Sequence, residues 1–154
     1  MTAPEASGAR PGELRYSCTL PAQLSAVTPA LDALESLLVS AGATDEERSE
    51  VRLIAEEALV NIVTYAFEAD APPPIALQCV CTAEQVWLEF RDSGMPFNPV
   101  AAPPPRLTAP LEERAEGGLG IHLIRSLADS VIYEHRQGCN VLQVTRQRRS
   151  GGHH

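Results

Sequence analysis

The sequence predicts an α/β two-layer sandwich, with a mixed or antiparallel sheet covered on one face by three helices. Strand-like runs come mostly in neighbouring pairs, Ile75 to Cys81 with Gln85 to Arg91 and Val131 to His135 with Val141 to Arg146. Between them lie stretches whose apolar residues recur at the three- and four-residue spacing of helices. The order is one strand, two helices, two strands, a long loop, one helix and two strands. It lacks the βαβ alternation that builds a parallel sheet.

The first strand, Glu13 to Leu20, sets Leu14, Tyr16, Cys18 and Leu20 on one face, and Pro21 ends it. Leu24, Val27, Leu31, Leu34, Leu37 and Leu38 then form a helical stripe that stops near Gly42. Pro29 marks either a break in this stripe or the first turn of its main helix. Thr44 and Glu47 have the form of a capping box, opening a long helix to about Phe67 with Val51, Ile54, Ala55, Ala58, Leu59, Ile62, Val63 and Ala66 toward a core. The prolines after Ala71 close it. The next two strands form a hairpin across Thr82-Ala83-Glu84. From Asn98 to Glu116 the chain has no sustained period and many prolines, as a functional lid does. Gly117-Gly118-Leu119-Gly120 opens a helix to about Asp129, and the last hairpin turns around Gly138.

Composition narrows the function classes. At 154 residues, with 44% hydrophobic and 21% charged residues, the chain fits one domain with one core, placed at 13–147 between a lead-in (1–12) and a tail (148–154). No apolar run approaches the roughly 20 residues of a membrane span. The first residues have neither the basic nor the apolar region of a secretory signal, so a cytoplasmic location is expected. A net charge of −8 repels phosphate backbones and disfavours direct nucleic-acid binding. Cys18, Cys79, Cys81 and Cys139 show no C-x-x-C spacing and read as small buried hydrophobes.

Three clusters carry chemistry. Glu57 and Asn61 stand one helical turn apart beside the core stripe, on a line with Leu53 and Thr64. A carboxamide oxygen can hold Mg²⁺, and a carboxylate one turn away can position a nucleophile or accept its proton. Alone, the pair also suits a solvated helix face. Asp92-Ser93-Gly94 follows a hairpin strand, where a carboxylate can accept from an adenine amino group and Gly94 allows close backbone approach. By itself D-x-G is also a common turn. Gly117, Gly118, Leu119 and Gly120 at a helix start expose backbone N–H groups to an anion, though a plain loop-to-helix junction has the same look. His122, just inside that helix, and Trp87, on a strand, read as structural residues.

In order and spacing these clusters resemble the N, G1 and G2 boxes of the Bergerat (GHKL) ATP-binding fold. EEALVNIVTYAF, FRDSGMPFNP and EGGLGIHLIRSLAD look most like the anti-sigma-factor serine kinases of bacterial partner-switching systems. The resemblance implies ATP and Mg²⁺ as cofactors, with Asn61 on the metal and Glu57 as base or orienting group. It further implies that Asp92 reads adenine and that Gly94, Gly117, Gly118, Leu119 and Gly120 shape the nucleotide site. Its partners would be a STAS-domain antagonist as phosphoacceptor, a sigma factor or other regulator, and a second copy in a homodimer. A non-catalytic nucleotide-dependent binding module is the alternative, and a histidine-kinase fragment is disfavoured because no phosphoacceptor histidine or dimerisation hairpin precedes the domain. Four positions depart from the family pattern. Tyr65 stands where many members have histidine, Glu116 where some have an arginine near the γ-phosphate, and Cys139-Asn140 where a threonine often assists adenine binding. Arg114, in the lid, is the candidate to replace that arginine.

Overall fold

The computed structural model of the protein describes residues 13–66, 73–93 and 118–148. Its elements are β1 (Leu14–Leu20), a short 3-10 turn, α1 (Val27–Ser40), α2 (Asp45–Asn61) continued as a π-helical stretch (Ile62–Ala66), β2 (Ile75–Cys81), β3 (Gln85–Asp92), α3 (Gly118–Leu127), β4 (Ser130–Arg136) and β5 (Cys139–Gln147). The sheet order is β1-β2-β3-β5-β4. Every pairing is antiparallel, which settles the choice the sequence left between mixed and antiparallel.

Local chemistry sets the boundaries. Pro29 lies in the first turn of α1, where its missing N–H removes no helical bond. That helix closes with Gly42 at φ +75° and the Ala43 N–H donating to the Leu38 carbonyl over 3.0 Å. Thr44 and Glu47 form the full capping box: the Glu47 N–H donates to the Thr44 hydroxyl and the Thr44 N–H to the Glu47 carboxylate, both at 3.1 Å. Gln137 and Gly138, at φ +54° and +77°, make the two-residue turn that matches the twist of β4 and β5.

One face of the sheet is apolar and receives the helices. Ile75, Leu77, Cys79, Cys81, Val86, Leu88, Phe90, Leu142 and Val144 meet Leu31, Leu34, Leu37 and Leu38 of α1, Val51, Ile54, Ala55, Ala58 and Leu59 of α2 and Ile124 of α3. Each large side chain of this set contributes about 1.5–3 kcal/mol by leaving water. Trp87 lies in the opposite row, half-buried between Val80 and Thr145. Among the described residues no helix is long and apolar enough to cross a membrane.

Several boundaries differ from the sequence expectation, among them the start of β5 at Cys139 rather than Val141. The long helix changes from α to π after Asn61, and α3 ends at Leu127 rather than Asp129. Arg148, counted with the tail, is fastened. Its guanidinium donates to the carbonyls of Thr82 (2.8 Å) and Ala41 (3.1 Å) and pairs with Glu47 at 3.4 Å. Its N–H donates to the Glu84 carbonyl at 2.7 Å.

Candidate functional site

Helix α2 is divided in its polar chemistry. In its first half Asp45, Glu47, Arg48, Glu50 and Arg52 all have partners. Glu47 serves both the capping box and Arg148, and Glu50 accepts two bonds from Arg146, at 2.6 and 2.9 Å. Arg48 bonds Asp45 and the Ala43 carbonyl, and Arg52 reaches Asp32 (3.0 Å) and Glu35 (2.8 Å) on α1.

The last turns are different. Glu57 is half-buried, and its carboxyl is pushed above the ordinary glutamic acid value, first by burial and then by the like charge of Glu56. One turn on, Asn61 is 5% exposed, and its amide nitrogen has no hydrogen-bond partner among the described residues. A buried donor left unmade costs about 1–3 kcal/mol. A carboxylate held as a stronger base and a carboxamide with unused bonding capacity therefore share one helix end, directly before the π-helical stretch. Such stretches are frequent at functional sites.

Asp92 is the last residue of β3, in the inward row and 4% exposed. Asn140 lies directly across from it on β5, and the Asn140 amide nitrogen donates to Asp92 Oδ1 at 3.0 Å. The other end of that carboxamide, Oδ1, accepts from the Tyr133 hydroxyl on β4. Asn140 thus occupies the threonine position noted in the sequence as a direct partner of Asp92. Tyr133 was missed by sequence reasoning. Only the alternation of β4 together with its register against β5 brings it near Asn140.

Helix α3 begins at Gly118, so Gly118, Leu119 and Gly120 form the first turn, where backbone N–H groups have no helical acceptor. It packs against α2, which also meets β3. Helix α2, which bears Glu57 and Asn61, is thereby in contact with α3, which begins at Gly118, and with β3, which ends at Asp92. His122 is exposed at the start of α3. Gly94, Arg114, Gly117, Glu116 and the segment 98–116 lie outside the described residues, as does the side chain of Tyr65.

Comparison with known proteins agrees with this architecture. Residues 20–146 match the histidine kinase-like ATPase domain. The serine/threonine-protein kinase BtrW of Bordetella bronchiseptica is 36% identical over 98 residues, which are 64% of this chain and 69% of that protein. The anti-sigma F factor of Oceanobacillus iheyensis is 21% identical over 99 residues, covering 64% and 68%. In structure, the RsbU and RsbW domains of a Mycobacterium tuberculosis protein superpose with a TM-score of 0.63 at 16% identity, covering 88% of this chain and 33% of that one. The chain belongs to the histidine kinase-like ATPase domain family, in the group that holds the serine-protein kinases and anti-sigma factors.

Proposed function

We propose that this protein serine kinase binds ATP with Mg²⁺ and transfers the γ-phosphoryl group to a serine of a small STAS-domain antagonist. When that antagonist is absent or already phosphorylated, the kinase holds a sigma factor or another regulator. The observation that carries this reading is the end of α2, where a carboxyl whose pKa is raised by burial stands one turn from a buried carboxamide whose amide nitrogen has no partner among the described residues.

The residues fit the groups they would hold. Asn61 has a hard oxygen suited to Mg²⁺, and its amide nitrogen, unpartnered among the described residues, can donate to a phosphate oxygen. When bound, the ion supplies positive charge to the phosphate oxygens. Asp92 offers a buried acceptor for the adenine amino group. The first turn of α3, Gly118 to Gly120, offers backbone N–H groups for phosphate, and Gly94, Gly117 and Arg114 are assigned to the same site from the sequence. Glu57 orients the incoming serine hydroxyl and takes its proton, a task for which a carboxylate with a raised pKa is the better base. The kinase works as a cytoplasmic domain, 13–147, and as a homodimer.

The test is incubation with labelled ATP, Mg²⁺ and a candidate STAS-domain protein, followed by mapping of phosphoserine. Transfer to one serine supports the proposal. Nucleotide binding without transfer to any candidate favours a non-catalytic binding module, for which Glu116 in place of an arginine is the sequence argument. No nucleotide binding overturns both.

A further inference from the structure

We infer that Asn140 and Tyr133 are positioning residues that set the adenine selectivity of the nucleotide site by fixing the Asp92 carboxylate. The inference rests on the proposed role of Asp92 as the group that reads adenine. It adds two residues from two other strands and a directional chain of hydrogen bonds through which they act.

Aspartate turns easily about its last side-chain bond, because that torsion has a broad, roughly two-fold profile. An unassisted Asp92 would present its oxygens over a range of planes. Here Oδ1 is held at 3.0 Å by the amide nitrogen of Asn140, in the directly paired position of the neighbouring strand. One fixed oxygen fixes the plane, and with it the direction of the second oxygen. A carboxylate accepts and does not donate, so in a set plane it matches the amino group at C6 of adenine and opposes the carbonyl at C6 of guanine or hypoxanthine.

Asn140 can do this only in one of its two orientations. Turned by half a revolution, its carboxamide would set oxygen against the carboxylate oxygen, acceptor against acceptor. The acceptor-only carboxylate of Asp92 rejects that orientation, and the Tyr133 hydroxyl, donating to Asn140 Oδ1, holds the far end of the carboxamide so that its amino end stays on Asp92. Tyr133 reaches across from β4 because its strand partner is Leu142, two residues from Asn140 in the same inward row, a separation that a tyrosine spans. Its ring packs against the core, so the hydroxyl is carried on a fixed arm. The chain Tyr133 to Asn140 to Asp92 runs from donor to acceptor at each step, across three adjacent strands, and ends at the nucleotide.

The experiment measures two affinities by calorimetry, in Mg²⁺, for the full chain and its variants. The ligands are ATP and purine riboside 5′-triphosphate, which lacks only the C6 amino group. Wild type is expected to prefer ATP. Asn140→Leu should reduce that preference about tenfold and Tyr133→Phe about threefold, the scale of a hydrogen bond made to a charged group and of one made to a neutral group. Asn140→Thr, which keeps a donor beside Asp92, should recover part of the preference. A merely structural role would lower both affinities together and leave their ratio alone, and that result in either variant overturns the inference. A wild type that binds both ligands equally also overturns it, while a wild type that binds neither removes the proposed ATP site itself. If Asn140→Leu does not fold, Tyr133→Phe decides, because it deletes one oxygen and keeps the packed ring.

Discussion

Replacing Glu57 with glutamine keeps the size of the side chain and removes its ability to take a proton. General-base assistance is worth about 10²- to 10⁴-fold, or roughly 3 to 5 kcal/mol of barrier. Phosphoryl transfer has a loose transition state in which the incoming hydroxyl keeps its proton until late, and Glu57 is only half-buried, so the lower part of that range applies. Glu57→Gln should slow phosphoserine formation about 10²- to 10³-fold with ATP affinity unchanged. The pH profile supplies a second and sharper readout. Burial and Glu56 raise the Glu57 carboxyl, so activity in wild type should fall with acidification at a higher pH than an ordinary glutamate would give. Glu56→Gln removes the smaller of the two causes, and the acid limb should move to lower pH without reaching the ordinary position. Stability moves with the opposite sign to activity. A carboxyl whose folded-state pKa is raised binds its proton more tightly in the folded chain. Its contribution is therefore present at low pH and lost as pH rises through the raised value. Ionised Glu57 is a burden near neutrality, and Glu57→Gln should melt at a higher temperature there than wild type. Full transfer activity in Glu57→Gln, or an acid limb unmoved in Glu56→Gln, would refute the assignment.

Asn61→Leu should raise stability by about 1–3 kcal/mol, since it deletes a buried donor that has no partner among the described residues, while Mg²⁺-dependent binding of ATP falls at least tenfold. Thermal melts with and without nucleotide check both halves, and lower stability together with intact binding would place the functional carboxamide elsewhere. Arg148→Met should cost about 3 kcal/mol, because two carbonyls and the buried Glu47 carboxylate lose a charged donor together. Urea unfolding measures it, and a loss under about 1 kcal/mol would show that water replaces the guanidinium there.

What the sequence disclosed depended on how local the cause was. The capping box of Thr44 and Glu47, the stop at Gly42 and the turn at Gly138 rest on contacts within a few residues, and each was legible. Alternation gave the inward row of β1, Leu14, Tyr16, Cys18 and Leu20, because one buried face leaves a single register for the apolar set. Motif spacing singled out Glu57, Asn61 and Asp92 as candidates, while Gly94, Arg114 and Gly117 fall outside the described residues. Other features were closed to the sequence for definite reasons. Arg148 takes its acceptors from Ala41 and Thr82, residues far along the chain that meet only in the folded molecule. The pairing of Asp92 with Asn140 requires the register of β3 against β5, and Tyr133 requires that of β4 as well. The change to π geometry over Ile62 to Ala66 spans too few residues for the two helical periods to separate.

The division within α2 ties these observations to function. Arg146 of β5 and Arg148 just after it fasten the first half of the helix through Glu50 and Glu47, and Arg52 ties it to α1. A helix secured in this way at one end, with Ile54, Ala58 and Leu59 in the core, can carry unfavourable groups at the other without losing its position. The raised carboxyl of Glu57 and the Asn61 amide nitrogen, without a partner among the described residues, are two such groups. Substitutions at the fastened end should therefore lower stability with little change in the affinity of the folded protein for nucleotide. Substitutions at Glu57 and Asn61 should raise stability and remove function. Opposite signs along one helix of 17 residues are the pattern expected when ground-state cost is concentrated where chemistry takes place.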